Sequence, residues 1–264
     1  MGSSILFQVL ERPATSLVST LLIAVYLYIT SHGIGYAEVG LNYDLAVQKL
    51  ELWRIVTAQI SHVELLHLLF NLSTLWSLGI IEESNGNGAK GGTIFYLQTS
   101  LVLLIFSGLV CLLLYHLLGV VLRREQYLNM TTVGYSAVIF GWMTILSRTG
   151  VASFSVFGLA NIPMWLTPFA SLVLTSIIIP RASFLGHLSG ILVGYMVVSG
   201  VFDWLTLWWL VSLTAWSAAL LVFHLVRTGR MEVPWLCMMP SDGAGDIETG
   251  VPIVRIVDGV LERR

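Results

Sequence analysis

Seven apolar stretches, parted by short polar breaks, constrain this chain more than any other feature. A helix needs roughly 17–25 apolar residues to cross a bilayer. The stretches predicted to cross are Thr15–Ile29, Val63–Ile81, Thr93 to about Leu122, Val133–Leu146, a segment ending at Ile179, Phe184–Phe202 and Trp204–Val226. The breaks carry the charge: Glu82-Glu83, Arg123-Arg124-Glu125, Arg148, Pro180-Arg181 and Asp203. Only 11% of the 264 residues are charged, 56% are hydrophobic and mean hydropathy is +0.84. Soluble domains carry about 25% charged residues. The expectation is an all-α polytopic membrane protein.

Composition also excludes. A net charge of −2 offers no basic surface for nucleic acid. The two cysteines, Cys111 in an apolar run and Cys237 in the tail, have neither disulfide-framework nor metal-ligand spacing. The first ten residues lack a basic n-region, so no cleavable signal is expected. The opening MGSS has Leu6 where myristoylation requires Ser or Thr. The sequon Asn129–Thr131 lies too close to the membrane to expect glycosylation.

Between the first two spans, Gly33–Ser61 is too polar to cross and too apolar for a solvated linker. It is predicted to lie in the interface, with Trp53 at headgroup level. After the seventh span comes a tail, 227–264, whose VPIVRIVDGVLERR end reads either as a short ordered element or as a peptide ligand.

Thr131–Gly141, TTVGYSAVIFG, sets Ser136 two residues after Gly134 at the entry of the fourth span. One reading is a small residue for close helix packing. The other is a nucleophile at a helix N-terminus, whose free N–H groups can meet an oxyanion. The remaining polar residues within spans decide between these readings, because such groups are costly and functional by default.

They are His67 and Asn71 in span two and His187 in span six. Alternate spans run in the same direction, so spans two, four and six enter from one face. Each of these groups lies near an entry, one or two turns deep. Taken singly, His67 is a buried histidine, Asn71 interhelical glue and the glycines simple packing. Together their shared depth favours one site.

His67 and Asn71 are four residues apart and share a helix face. Gly186, Gly190 and Gly194 form a smooth ridge on which another backbone can approach closely. If span four packs there, His187 reaches the Ser136 hydroxyl. Neutral imidazole can take the serine proton. No carboxylate is clearly placed to orient it, which predicts a dyad. The oxyanion would meet the Ser136 N–H together with His67 and Asn71. His116, near the end of span three, is read as structural.

At these residues the chain resembles the rhomboid family of intramembrane serine proteases. The matching pieces are Trp53-Arg54, the run HVELLHLLFN (His62, His67, Asn71), Gly134 and Ser136 as GxS, and GHLSGILVG (His187, Gly190, Gly194). The resemblance implies a six-helix core, residues 15–202, with Ser136 as nucleophile and His187 as base. Gly134 joins His67 and Asn71 in stabilising the oxyanion, and Trp53, Arg54, Gly190 and Gly194 give structural support. A seventh helix at 203–226 follows. The implied partners are transmembrane-helix substrates and lipid, without cofactor or metal, in an endomembrane such as ER or Golgi.

The cavity would open to the lumenal or extracellular face. By contrast, positive residues on the Ser136 side (Lys49, Arg54, Arg123, Arg124, Arg181) outnumber Arg12, Lys90 and Arg148 opposite, which weakly places that side in the cytosol, although Lys49 and Arg54 belong to a stretch expected to fold into the protein. Ala137 stands where the family usually has glycine, and its added methyl could crowd the oxyanion site; Gly186 stands where alanine is frequent, and Tyr135 is bulky for the variable GxS position. The competing class is an inactive member that binds client helices, similar to iRhoms and derlins. A channel or transporter would call for inverted repeats, and none is evident.

Overall fold

The computed structural model describes residues 5–83, 91–149, 153–156, 160–179, 182–228, 254–257 and 260–263. Lys90, Pro180, Arg181 and Cys237 lie outside them.

The chain opens with α1 (Ile5–Glu11) and α2 (Pro13–Ser31). The first loop folds as α3 (Tyr36–Val39), strand β1 (Leu41–Asn42), a π turn and α4 (Arg54–Ile60). Next come α5 (Leu65–Leu78), continued by α6 (Ile80–Glu83), and α7 (Thr93–His116). Strand β2 (Thr131–Thr132) leads into α8 (Ser136–Thr149). A hairpin, β3 (Ser153–Val156) with β4 (Ala160–Pro163), precedes α9 (Thr167–Ile178), and α10 (Phe184–Val198) follows. Last are α11 (Leu207–Arg227) and a hairpin of β5 (Val254–Val257) with β6 (Val260–Arg263). The ambiguous C-terminal stretch thus contains a short ordered element.

Residues 1–211 and 212–264 form two compact units, and all of the site lies in the first. Pro13–Ser31, Leu65–Glu83 and Thr93–Val121 are long and apolar enough to cross a membrane. With 14 and 15 residues, α8 and α10 reach only about 21–23 Å at 1.5 Å per residue. A hydrocarbon core is about 30 Å thick. Short helices at the centre leave room for water and irregular backbone at their ends, buried in protein as a bilayer demands.

The close packing of α10 on α8 has a local cause. A Cβ on Gly190 would lie 2.0 Å from the Ala137 carbonyl oxygen, and one on Gly194 2.7 Å from that of Gly141. The glycines let the two backbones touch, as the ridge predicts. The main core then gathers Leu75, Tyr96, Leu103, Val138, Trp142 and Val193 around α8. Outside that core, Leu66, Leu69 and Phe70 on α5 and Leu174, Ile177 and Ile178 on α9 are exposed, as lipid-facing side chains are.

The first loop is more than interfacial. Trp53, Leu50 and Leu52 do face outward. Leu41, Tyr43 and Ala46, however, join Cys111, Leu112 and Tyr115 of α7 in a second core. Arg54 is buried, its Nη1 donating to the Gly40 and Ala37 carbonyls at 2.8 and 3.2 Å and its Nε pairing with Glu51 at 2.5 Å. A charge satisfied inside the fold is a weak topological marker, as expected of a stretch that folds into the protein. The phenol of Tyr43 and Nδ1 of His116 lie 2.6 Å apart, a structural use of that histidine.

At the end of the bundle away from Ser136, Glu82 is 3% exposed. Its carboxylate accepts from the Ala14 and Thr15 N–H groups at 2.7 and 2.9 Å and from the Thr15 hydroxyl at 2.9 Å. These N–H groups belong to the first turn of α2, where no intrahelical acceptor exists. A carboxylate there also favours the helix dipole. Glu82→Ala should cost about 2 kcal/mol or more, since it leaves buried donors unpaired. Glu83→Ala, losing one part-exposed pair with Arg12, should cost about 1 kcal/mol or less. Thermal unfolding in detergent micelles measures the difference.

Candidate active site

The turn that carries Ser136 is built by the first loop and α4. On α7, a Cβ at Gly108 would lie 2.7 Å from Ile55 Cγ2, so α4 lies directly on that helix. Gln59 locks the contact, donating to the Leu104 carbonyl and accepting from the Ser107 hydroxyl at 2.9 Å. From α4, the Ala58 carbonyl accepts the Gly134 N–H at 2.9 Å. Strand β1 pairs with β2, Leu41 opposite Thr132. Gly134 then turns the chain at φ +108°, a conformation that glycine supplies without a Cβ penalty.

Ser136 is the first helical residue of α8, a turn nearer the helix start than the predicted span at Val133 implied. Tyr135 is its cap, accepting the first intrahelical bond from Ile139 at 3.2 Å. The Ser136 N–H therefore belongs to the first turn, whose donors have no partner within the helix. The Tyr135 side chain, 3% exposed, packs into the main core beside Val138 and Trp142, away from the site. Ala137 is 6% exposed and meets Gly190 through its backbone.

His187 enters from the first turn of α10. Its Nε2 lies 2.8 Å from Ser136 Oγ, and the ring is 4% exposed. Phe140, one turn after Ser136, stacks on the imidazole with centroids 4.4 Å apart and planes at 18°. Its spacing of four from Ser136 was the available sequence signal, and the reading from residues missed it. Among the described residues, His187 Nδ1 has no hydrogen-bond partner and no carboxylate bonds the ring.

His67 lies against the same turn. A Cβ on Gly134 would fall 2.4 Å from His67 Cε1 and 2.8 Å from Nε2. Asn71 is 4% exposed, with Nδ2 donating one hydrogen to the His67 carbonyl at 2.9 Å and holding a second. His62, fully buried, accepts the Tyr135 N–H on Nε2 at 3.4 Å and meets the His67 ring edge-on at 5.1 Å. Ser136, His187, His67 and Asn71 all line one cavity of about 680 Å³, walled by α5 on one side and α9 on the other. Glu64 lies on its lining too. Trp53, Arg54, Gly190 and Gly194 do not reach the cavity; they sit in the loop and helix contacts described above. Among the described residues, no cluster of His, Cys, Asp and Glu could hold a metal ion.

A polar pair inside an apolar helical bundle defines an integral membrane protein with a candidate hydrolytic centre. Residues 49–204 match the model of the rhomboid domain, and the chain belongs to the rhomboid family. It is 31% identical over 173 residues to the rhomboid-like protein 15 of Arabidopsis thaliana, covering 64% of this chain and 42% of the relative. The rhomboid-like protein 14, mitochondrial, of the same plant is also 31% identical over 173 residues, covering 63% and 49%. The rhomboid-type serine protease 2 of Saccharomyces cerevisiae is 31% identical over 155 residues, covering 56% and 53%. The chain spans about half the length of these relatives.

Gly134→Ala tests the turn. It combines an unfavourable φ with a clash against His67, and should destabilise the protein by about 1–3 kcal/mol. A thermal midpoint unchanged from wild type would show that the turn relaxes freely.

Proposed function

We propose that this chain is an intramembrane serine endopeptidase that hydrolyses peptide bonds in or near transmembrane helices of membrane-protein substrates. The observation that carries the reading is the 2.8 Å approach of His187 Nε2 to Ser136 Oγ inside the cavity. Catalysis is assigned to residues 15–202, with 203–226 as an added span and 227–264 as a tail. Membership of a family whose relatives include a named serine protease supports the assignment.

The chemistry follows from the groups present. With its proton on Nδ1, neutral His187 accepts the Ser136 hydroxyl proton on Nε2. The serine oxygen attacks the scissile carbonyl carbon, and the electron pair moves to the carbonyl oxygen. The Ser136 N–H, the free Asn71 amide hydrogen and His67 stabilise that charge. As the tetrahedral intermediate collapses, the C–N bond breaks and His187 returns the proton to the leaving amine. Water then hydrolyses the acyl-enzyme with His187 again as base. Phe140 holds the ring where a third member of a triad would otherwise orient it.

A membrane substrate suits the walls. Exposed apolar residues of α5 and α9 flank the cavity, so a helix arriving through lipid meets apolar surface before it meets Ser136. Labelling with a fluorophosphonate is the direct test. Wild type should label, and Ser136→Ala and His187→Ala should not. Asn71→Ala should slow cleavage of a membrane substrate by about 10²-fold, the usual loss for one oxyanion donor. A folded wild-type protein that resists labelling would instead be a binder of client helices.

A further inference from the structure

We propose that Thr132, Ser183 and Gly186 form an upper clamp that sets the Ser136–His187 distance, making Thr132 and Ser183 positioning residues; the inference rests on the dyad described above. Thr132 precedes Ser136 by four residues, and Ser183 precedes His187 by four. Their hydroxyl oxygens are 2.8 Å apart. The Tyr115 phenol of α7 lies 2.5 Å from the Thr132 hydroxyl, extending the chain of hydroxyls to a third span. Thr132 is thus flanked by two hydroxyls, and it can donate to one and accept from the other.

Ser183 is the cap of α10. Its Oγ accepts the Gly186 N–H at 3.1 Å, and its carbonyl accepts the His187 N–H at 3.0 Å. Moving Ser183 therefore moves the first turn of the helix that presents the imidazole. On the other side, Thr132 is held by the β1–β2 ladder and leads straight into the Ser136 turn. The hydroxyl contact joins the base's helix to the nucleophile's loop.

Steric fit works in the same place. A Cβ on Gly186 would lie 2.9 Å from Thr132 Cγ2, 3.1 Å from Ser183 Oγ and 3.3 Å from Ser183 Cβ. The threonine methyl occupies the space that any larger residue at 186 would need. Deeper in the bundle, α8 and α10 are already pinned at Gly190 and Gly194. With those pins fixed, the clamp at 132 and 183 sets how far the helices splay at the level of the dyad. A misplacement of about 1 Å can cost on the order of 10²-fold in rate.

Coupling between positions 186 and 132 tests the idea. Turnover is measured on a membrane substrate, per site titrated with fluorophosphonate, together with KM and thermal midpoint. Gly186→Ala should lower kcat by about tenfold or more with KM little changed. Adding Thr132→Ser, which keeps the hydroxyl and removes the methyl, should restore kcat to within about threefold of wild type, the scale of a residual misfit. Thr132→Val, which keeps the shape and loses the hydrogen bonds, should lower kcat without rescue.

Several results would overturn the clamp. A double variant no faster than Gly186→Ala would show that the two positions are not coupled. A fall in thermal midpoint with kcat per site intact would reduce the group to structural glue. A change confined to KM would make Thr132 a wall of the cavity only. A wild type that never labels would sink the protease reading and the clamp together, whereas an active wild type with unaffected variants would sink the clamp alone.

Discussion

Everything near the candidate site depends on two helix backbones touching. Gly190 lies against the Ala137 carbonyl, and Gly194 lies against the Gly141 carbonyl and the Thr144 side chain, so α8 and α10 approach closely. In lipid there is little hydrophobic gain in bringing helices together, and packing and hydrogen bonding must do it. Small residues maximise that packing. A larger side chain at 190 would separate Ser136 from His187 without touching either. The same contact explains why alanine is accommodated after Ser136. Its backbone, rather than its methyl group, meets the ridge.

The two ends of the bundle are built differently. At the end away from the site, Glu82 satisfies the start of α2 and Arg12 pairs with Glu83 at 2.5 Å, so polar groups there are consumed in holding helices together. At the Ser136 end, short helices, a left-handed glycine and a two-residue ladder leave polar groups around a cavity. Closed backbone bonding stabilises one end, while irregular backbone buried in protein shapes the other.

Hydropathy revealed the helices well and their ends poorly. All seven predicted spans contain a helix, but α8 starts at Ser136 rather than Val133 and α10 stops at Val198 rather than Phe202. The length of an apolar run measures what tolerates lipid. Helix ends depend here on a positive φ at Gly134 before α8 and at Gly200 after α10, which hydropathy does not register. The packing of the first loop was only partly legible for a related reason. Its alternation of apolar and charged residues fits an interface, yet it also fits a segment folded onto α7 with Arg54 turned inward.

Hydropathy and span order were enough to read the membrane class, the number of apolar segments and the shared face of Ser136, His187, His67 and Asn71. Direction alternates from span to span, and that rule needs no coordinates. Packing between distant segments sets the 2.8 Å from His187 Nε2 to Ser136 Oγ, backs the ring with Phe140 and turns Tyr135 into the core. Periodicity places a residue on a face and at a depth. The rotation of one helix against another, and hence which atoms meet, comes from contacts between residues distant in the chain. Here these are Gly190 with Ala137, Thr132 with Ser183, and Ala58 with Gly134.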